Sequence, residues 1–244
     1  KLQQKKYRTE YGCFLVEGKK GVLDAIQANA VIQQLVVTSE FVREQADFCQ
    51  QSEVRRFFDE YLVLELPESE FARIMDTATP QGVAAVVQTP TTHLSALLPG
   101  SVVAVLEDIR DPGNLGTMIR TADWFGVDGL LLLGGADPYQ PKVVRSSMGS
   151  IFHVPVVISQ DIVSELATLK QHGFRVVVTR PEASESTLQL KENAKVCVIF
   201  GNEADGTSDR IDALADEAFS IPKIGQAESL NVAVSFGILM YALL

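Results

Sequence analysis

The chain has 244 residues, 46% of them hydrophobic, and a formal net charge of −10. That is enough for one large domain or two small ones with a sizeable core. The total charge gives no support to a uniformly basic nucleic-acid binder, and the longest apolar run, the closing LNVAVSFGILMYALL, is shorter than the ~20 residues that cross a bilayer. Charge acts locally, however. Residues 1–20 carry Lys1, Lys5, Lys6, Arg8, Lys19 and Lys20 against Glu10 and Glu17, a net of +4, which leaves −14 for the rest.

In chain order, CFLVEG (13–18) reads as a buried strand and KKGVLDAIQAN (19–29) as a helix. IQQLVVTS (32–39) is a strand, EFVREQADFCQQ (40–51) a helix, and YLVLEL (61–66) a strand. PESEFARIMD (67–76) is a helix opened by Pro67, and GVAAVVQ (82–88) is a strand. This is a small α/β layer, assigned to 1–90. Periodicity stops in TPTTHLSALLPG (89–100), so 91–100 is expected to be a linker to a second domain at 101–244.

That second part alternates apolar strands (102–108, 129–135, 153–158, 174–180, 195–201 and 218–222) with helices near 114–126, 160–172, 207–216 and 230–244. Nearly continuous apolar strands between helices imply a parallel sheet covered on both faces. Ligands of such sheets bind beyond the carboxyl ends of the strands. Cys13, Cys49 and Cys197 are far apart and form no metal-ligand spacing, so they read as reduced core thiols. No signal-peptide pattern opens the chain, and the expected location is the cytoplasm.

Three polar segments stand out. The first, EDIRDPGNLGTMIRTADWFGV (107–127), has glycines at a strand-to-helix turn but matches neither phosphate-loop nor dinucleotide spacing. On a helix from Asn114, Leu115, Met118, Ile119, Ala122 and Phe125 form the buried stripe, while Asn114, Thr117, Arg120, Thr121 and Trp124 face away. A cation near a helix N-terminus is unfavourable unless an anion joins it. Arg120 therefore either pairs with Asp108, Asp111 or Asp123 or serves an anionic ligand. The second segment, KVVRSSMGSIFHVPV (142–156), places Lys142 and Arg145 beside small residues, as a phosphate site or as a helix C-terminus with a glycine cap. In the third (198–237), one strand ends in Gly201-Asn202-Glu203 and another in Ile221-Pro222. Glu228-Ser229-Leu230-Asn231 then enters the last helix, with Ser229 also suited to cap it. Three such loops suggest one joint site built mostly from backbone groups.

Together, NLGTMIRTADWFGV, VVRSSMGSIFHVPV and GNEADGTSDRID…IPKIGQAESLNVAVS resemble the three motifs of the SpoU (TrmH-like) RNA 2′-O-ribose methyltransferases of the SPOUT class. KKYRTEYGCFLVEG is similar to the small L30e-like RNA-binding domain that often precedes the catalytic domain. The resemblance implies a SPOUT domain with a parallel sheet and a deep trefoil knot, an exception to the rule that chains are unknotted. It implies S-adenosylmethionine held by backbone groups of Gly201, Ile221 and Leu230, and a homodimer whose subunits share the site. It assigns Arg120 to activation of a ribose 2′-hydroxyl. Glu203, Ser229 and Asn231 would orient the ribose or relay its proton, and Asn114 would face the RNA with Arg145 and the basic Lys5, Lys6 and Arg8. A sulfonium is an activated leaving group, so the reaction requires no metal. Structured RNA is the expected partner, ribosomal first and transfer RNA second; the alternative is a non-catalytic, dimeric RNA-binding protein. The chain departs from the family pattern at Ala204, usually glycine, and at Lys223, usually methionine.

Overall fold

The computed structural model describes residues 1–60, 62–180, 194–202 and 205–243. The chain divides into two compact units: Lys1–Pro90 with Asp137–His153, and Thr91–Ala136 with Val154–Leu244.

The first unit contains α1 (Lys5–Tyr11), β1 (Cys13–Glu17), α2 (Lys19–Gln27), β2 (Ile32–Thr38), α3 (Ser39–Glu44), α4 (Ala46–Cys49), α5 (Ser52–Asp59), β3 (Val63–Leu66), α6 (Glu68–Ile74) and β4 (Val83–Gln88). Its sheet has the order β1-β4-β2-β3. β4 runs antiparallel to both β1 and β2, and only β2 and β3 are parallel. The single helix expected over 40–51 is two, because the chain breaks at Gln45, which ends α3 and begins α4.

The second unit contains β5 (Val102–Glu107), α7 (Pro112–Trp124) and β6 (Gly129–Leu133). The chain then enters the first unit, where α8 (Pro141–Ser146) lies, and returns. It continues as β7 (Val156–Ile158), α9 (Ile162–Gln171), β8 (Phe174–Thr179), β9 (Lys195–Phe200), α10 (Asp209–Asp212), β10 (Glu217–Phe219) and α11 (Val232–Leu243). Six strands pair in the order β10-β8-β9-β5-β6-β7, every pair parallel, as the apolar strand pattern implied.

Alternation along the strands builds two cores. Val103, Val105, Cys197 and Ile199 pack with Ile162, Leu166 and Leu169 of α9. The opposite face carries Phe200, whose ring meets Phe236 of α11 at 4.9 Å between centroids. Residues 91–100 are not a free linker. They hold a 3-10 turn at Leu94–Ala96, and a fully buried Leu97 joins the α9-side core. A single turn is too short to show a periodicity in the sequence.

Candidate active site

The chain forms a helix from Pro112 because Asp111 caps it, its carboxylate accepting from the Asn114 N–H at 2.8 Å, and proline fits the first helical position. Leu115, Met118, Ile119 and Ala122 are buried as the spacing required, and Arg120 is exposed. Among the described residues no ion pair reaches Arg120. Asp108 instead pairs with Arg110, and Asp111 is committed to the cap.

The entry to α11 is fixed by Asn231. Its Oδ1 accepts from the N–H groups of Ala233 (2.9 Å) and Val234 (3.3 Å). Asn231 is therefore the cap, and Ser229, two residues earlier, keeps its hydroxyl for the cleft it lines. With Oδ1 committed, Nδ2 of Asn231 faces Asn114 and donates to its Oδ1 at 3.0 Å. First-motif and third-motif side chains, 117 positions apart, are thus joined directly.

Leu230, next to Asn231, lines a cavity of about 650 Å³ at the carboxyl ends of the adjacent strands β10, β8 and β9, within the ~300–1,000 Å³ common for small-molecule sites. Gly201, Ile221, Ser229 and Leu230 all line it. A Cβ on Gly201 would stand 2.1 Å from the Gly206 carbonyl carbon, so no larger residue fits there. The reason is a tight return of the chain, in which Asn202 and Gly206 exchange N–H···O bonds of 3.0 and 2.9 Å. Glu203, expected to be catalytic, and Ala204 lie outside the described residues.

Two residues outside the expected set also contribute. Asn202 is buried and donates to the Asp108 carbonyl at 2.9 Å, which ties the end of β9 to the turn that launches α7. Arg180 lines the cavity just past β8, and its position at a strand end was the available signal. It pairs with Asp212 at 2.5 Å. Burial works to raise the Asp212 carboxyl, but hydrogen bonds from Arg180 and Thr207 prevail and hold it below the usual value.

The expected RNA contacts lie in the first unit, apart from Asn114. Lys5 and Lys6 are exposed. Arg8 is a correction, since it is 5% exposed. Its Nη2 and Nε both donate to Asp137 Oδ2, at 2.6 and 3.0 Å, and its Nη1 donates to the Leu2 carbonyl at 2.8 Å. A guanidinium so engaged cannot meet phosphate. Arg145 sits in the last turn of α8, as the helix-terminus alternative expected, but the cap there is Ser147 rather than a glycine, and Arg145 pairs with Asp76 at 2.7 Å.

The SpoU rRNA methylase family model matches residues 101–241. The chain belongs to that family. A model of the MRM3-like substrate-binding domain matches residues 1–85 of this SpoU chain. The 23S rRNA (guanosine(2553)-2′-O)-methyltransferase RlmP of Bacillus subtilis is 35% identical over 244 residues, covering 100% of this chain and 93% of that protein. The crystal structure of the SpoU methyltransferase AviRb from Streptomyces viridochromogenes in complex with AdoMet superposes with a TM-score of 0.84 at 26% identity, over 99% of this chain and 92% of that one. The AdoMet-bound rRNA methyltransferase from Sinorhizobium meliloti gives 0.81 at 32% identity, over 99% and 90%. The SPOUT α/β fold, with a separate N-terminal α/β part, is therefore that of this SpoU protein.

Proposed function

We propose that this chain methylates a ribose 2′-hydroxyl of ribosomal RNA, with S-adenosylmethionine as methyl donor. The observation that carries the reading is the Asn114–Asn231 link, which sets the exposed Arg120 helix beside a cleft of matching size within a SpoU-family chain. The cleft suits the cofactor chemically. Backbone turns at Gly201 and Ile221 leave room for a flat base, Leu230 adds an apolar wall, and Arg180, Lys223 and Glu228 offer charges of both signs to an amino-acid portion.

When bound, S-adenosylmethionine supplies an electrophilic methyl carbon on a sulfonium. The chain's own part is to hold and polarise the ribose. Arg120 is not a base, because a guanidinium stays protonated; it fixes the phosphate beside the target ribose and stabilises alkoxide charge as it develops. Asn231, oriented by its own cap, and Ser229 position the hydroxyl, with Glu203 as the proposed proton relay. Alignment supplies a large share of the rate, since effective molarities reach on the order of 10⁵ M. Lys5, Lys6 and Asn114 contact RNA, with residues 1–90 as the substrate-binding domain and 101–244 as the catalytic domain. The C-terminal segment forms the family's knot.

A homodimer belongs to the same reading. Val234, Ile238 and Tyr241 recur at helical spacing on the outer side of α11 and are 50%, 42% and 77% exposed, and Trp124 of α7 is 84% exposed. A second copy covering this face accounts for it. Among the described residues no helix is long and apolar enough to cross a membrane. The proposed location is the cytoplasm, where ribosomal RNA is modified. The test is a map of 2′-O-methylation across ribosomal and transfer RNA from cells with and without the gene. One ribosomal mark should vanish with the gene; loss of a transfer-RNA mark instead would reassign the substrate.

A further inference from the structure

α1 is short, polar and exposed, yet it carries two aromatic rings one turn apart. Tyr7 and Tyr11 stack with centroids 6.0 Å apart and planes 11° from parallel. Tyr11 is 46% exposed, so the ladder ends in an open ring. Around it stand Lys1 and Lys6, whose ammonium groups lie 5.6 and 5.8 Å from the Tyr7 centroid, and the exposed Lys5. Glu10 is the single carboxylate of the helix.

The segment is held firmly from behind. Arg8 is buried against Asp137, and Gln3 donates to the Met75 carbonyl at 2.8 Å. Stacked tyrosines on an anchored helix are already ordered, so little conformational freedom remains to be lost on binding. A flat aromatic surface flanked by lysines complements a ligand that is itself flat and polyanionic. Unpaired nucleotides have that chemistry, and a paired duplex hides its base faces.

We propose that the Tyr7–Tyr11 ladder of α1 is a stacking platform for an unpaired base of the RNA, with Lys5 and Lys6 holding the adjoining phosphates. The proposal rests on the RNA reading above and adds to it the recognition of a single-stranded or looped element. An acidic protein segment is the competing occupant. Lysines alone would suit it, but the parallel rings would then have no role.

The experiment uses the full chain and a short single-stranded RNA carrying a central 2-aminopurine, alone or annealed to its complement. The wild-type protein should bind the single strand and quench its fluorescence. Tyr11→Ala should weaken that binding about tenfold and abolish the quenching. Tyr11→Phe should keep both, because the ring is retained. The log–log salt slope should stay unchanged in the Tyr11 variants and fall by ~0.7 in Lys5→Ala or Lys6→Ala. Wild-type affinity in Tyr11→Ala, or displacement of the RNA by poly-glutamate equally from wild type and Tyr11→Ala, would overturn the platform and leave RNA binding standing. A wild-type protein that binds neither form of RNA would overturn both.

Discussion

Asn231 and Asn114 form a one-way hydrogen bond, the amide of Asn231 donating and the oxygen of Asn114 accepting at 3.0 Å, because the other end of Asn231 is committed to α11. Helix capping and site geometry therefore meet in one side chain, and substitutions can separate them. Asn231→Asp keeps a good capping oxygen but removes the donor to Asn114. Its thermal unfolding should stay close to wild type while methyl transfer falls at least tenfold. Asn231→Ala should lose both, with about 1 kcal/mol of stability gone, or roughly 2–4 °C in Tm. An Asp variant with full activity would show that the link between the two asparagines is only structural.

Gly201 should accept no side chain. A methyl group there would overlap the Gly206 carbonyl carbon at 2.1 Å, backbone that cannot swing away as a side-chain tip would. Gly201→Ala should lower S-adenosylmethionine affinity at least tenfold by calorimetry. Unaltered affinity would place the cofactor elsewhere.

Arg8 and its neighbours Lys5 and Lys6 should part company. Removing one partner from a buried ion pair leaves the other charge uncompensated, so Arg8→Ala should cost about 3 kcal/mol in denaturant unfolding. Lys5→Ala and Lys6→Ala should leave stability within about 0.5 kcal/mol of wild type. Equal stability of all three variants would mean that the Arg8–Asp137 pair does not anchor α1.

The three cysteines are free and buried, and burial raises each thiol above its usual value, Cys197 to about 12. A raised value keeps the thiol protonated, and thus unreactive, at pH values well above neutral. A thiol-specific reagent at about pH 8 should label none of them in the native protein and all of them after unfolding. Fast native labelling of Cys197 would contradict its position in the sheet core.

Strands whose side chains are buried on both faces were the most legible part of the sequence: 102–108 and 195–201 appear as β5 and β9, each shorter by one residue. The stripe of α7 was equally plain, since 3.6-residue spacing survives whatever the helix packs on. α1, α5 and the turn at Leu94 are too short and too polar for a periodicity to stand out in the sequence. Gly201, Ile221 and Leu230, which the family resemblance singled out rather than any local pattern, line one cavity. The site was not legible where an ordinary side chain acquires its role from a partner far along the chain. Arg8 looked like every other N-terminal cation until Asp137, 129 positions on, claimed it. Ser229 looked like a cap until Asn231 took that role.

Arg120 tests the functional claim most directly. It is exposed, on the polar side of α7, with no ion pair among the described residues, so Arg120→Ala should unfold within about 0.5 kcal/mol of wild type. It lies outside the cleft lining, so cofactor affinity should hardly change. Arg120→Lys should rescue poorly, since an ammonium lacks the planar fork. The decisive measurement is single-turnover methyl transfer to ribosomal RNA by wild-type and Arg120→Ala protein. A fall of ~10²-fold or more is predicted, the scale of losing a donor to a developing oxyanion. Transfer at the wild-type rate would make Arg120 a surface residue and contradict the mechanism.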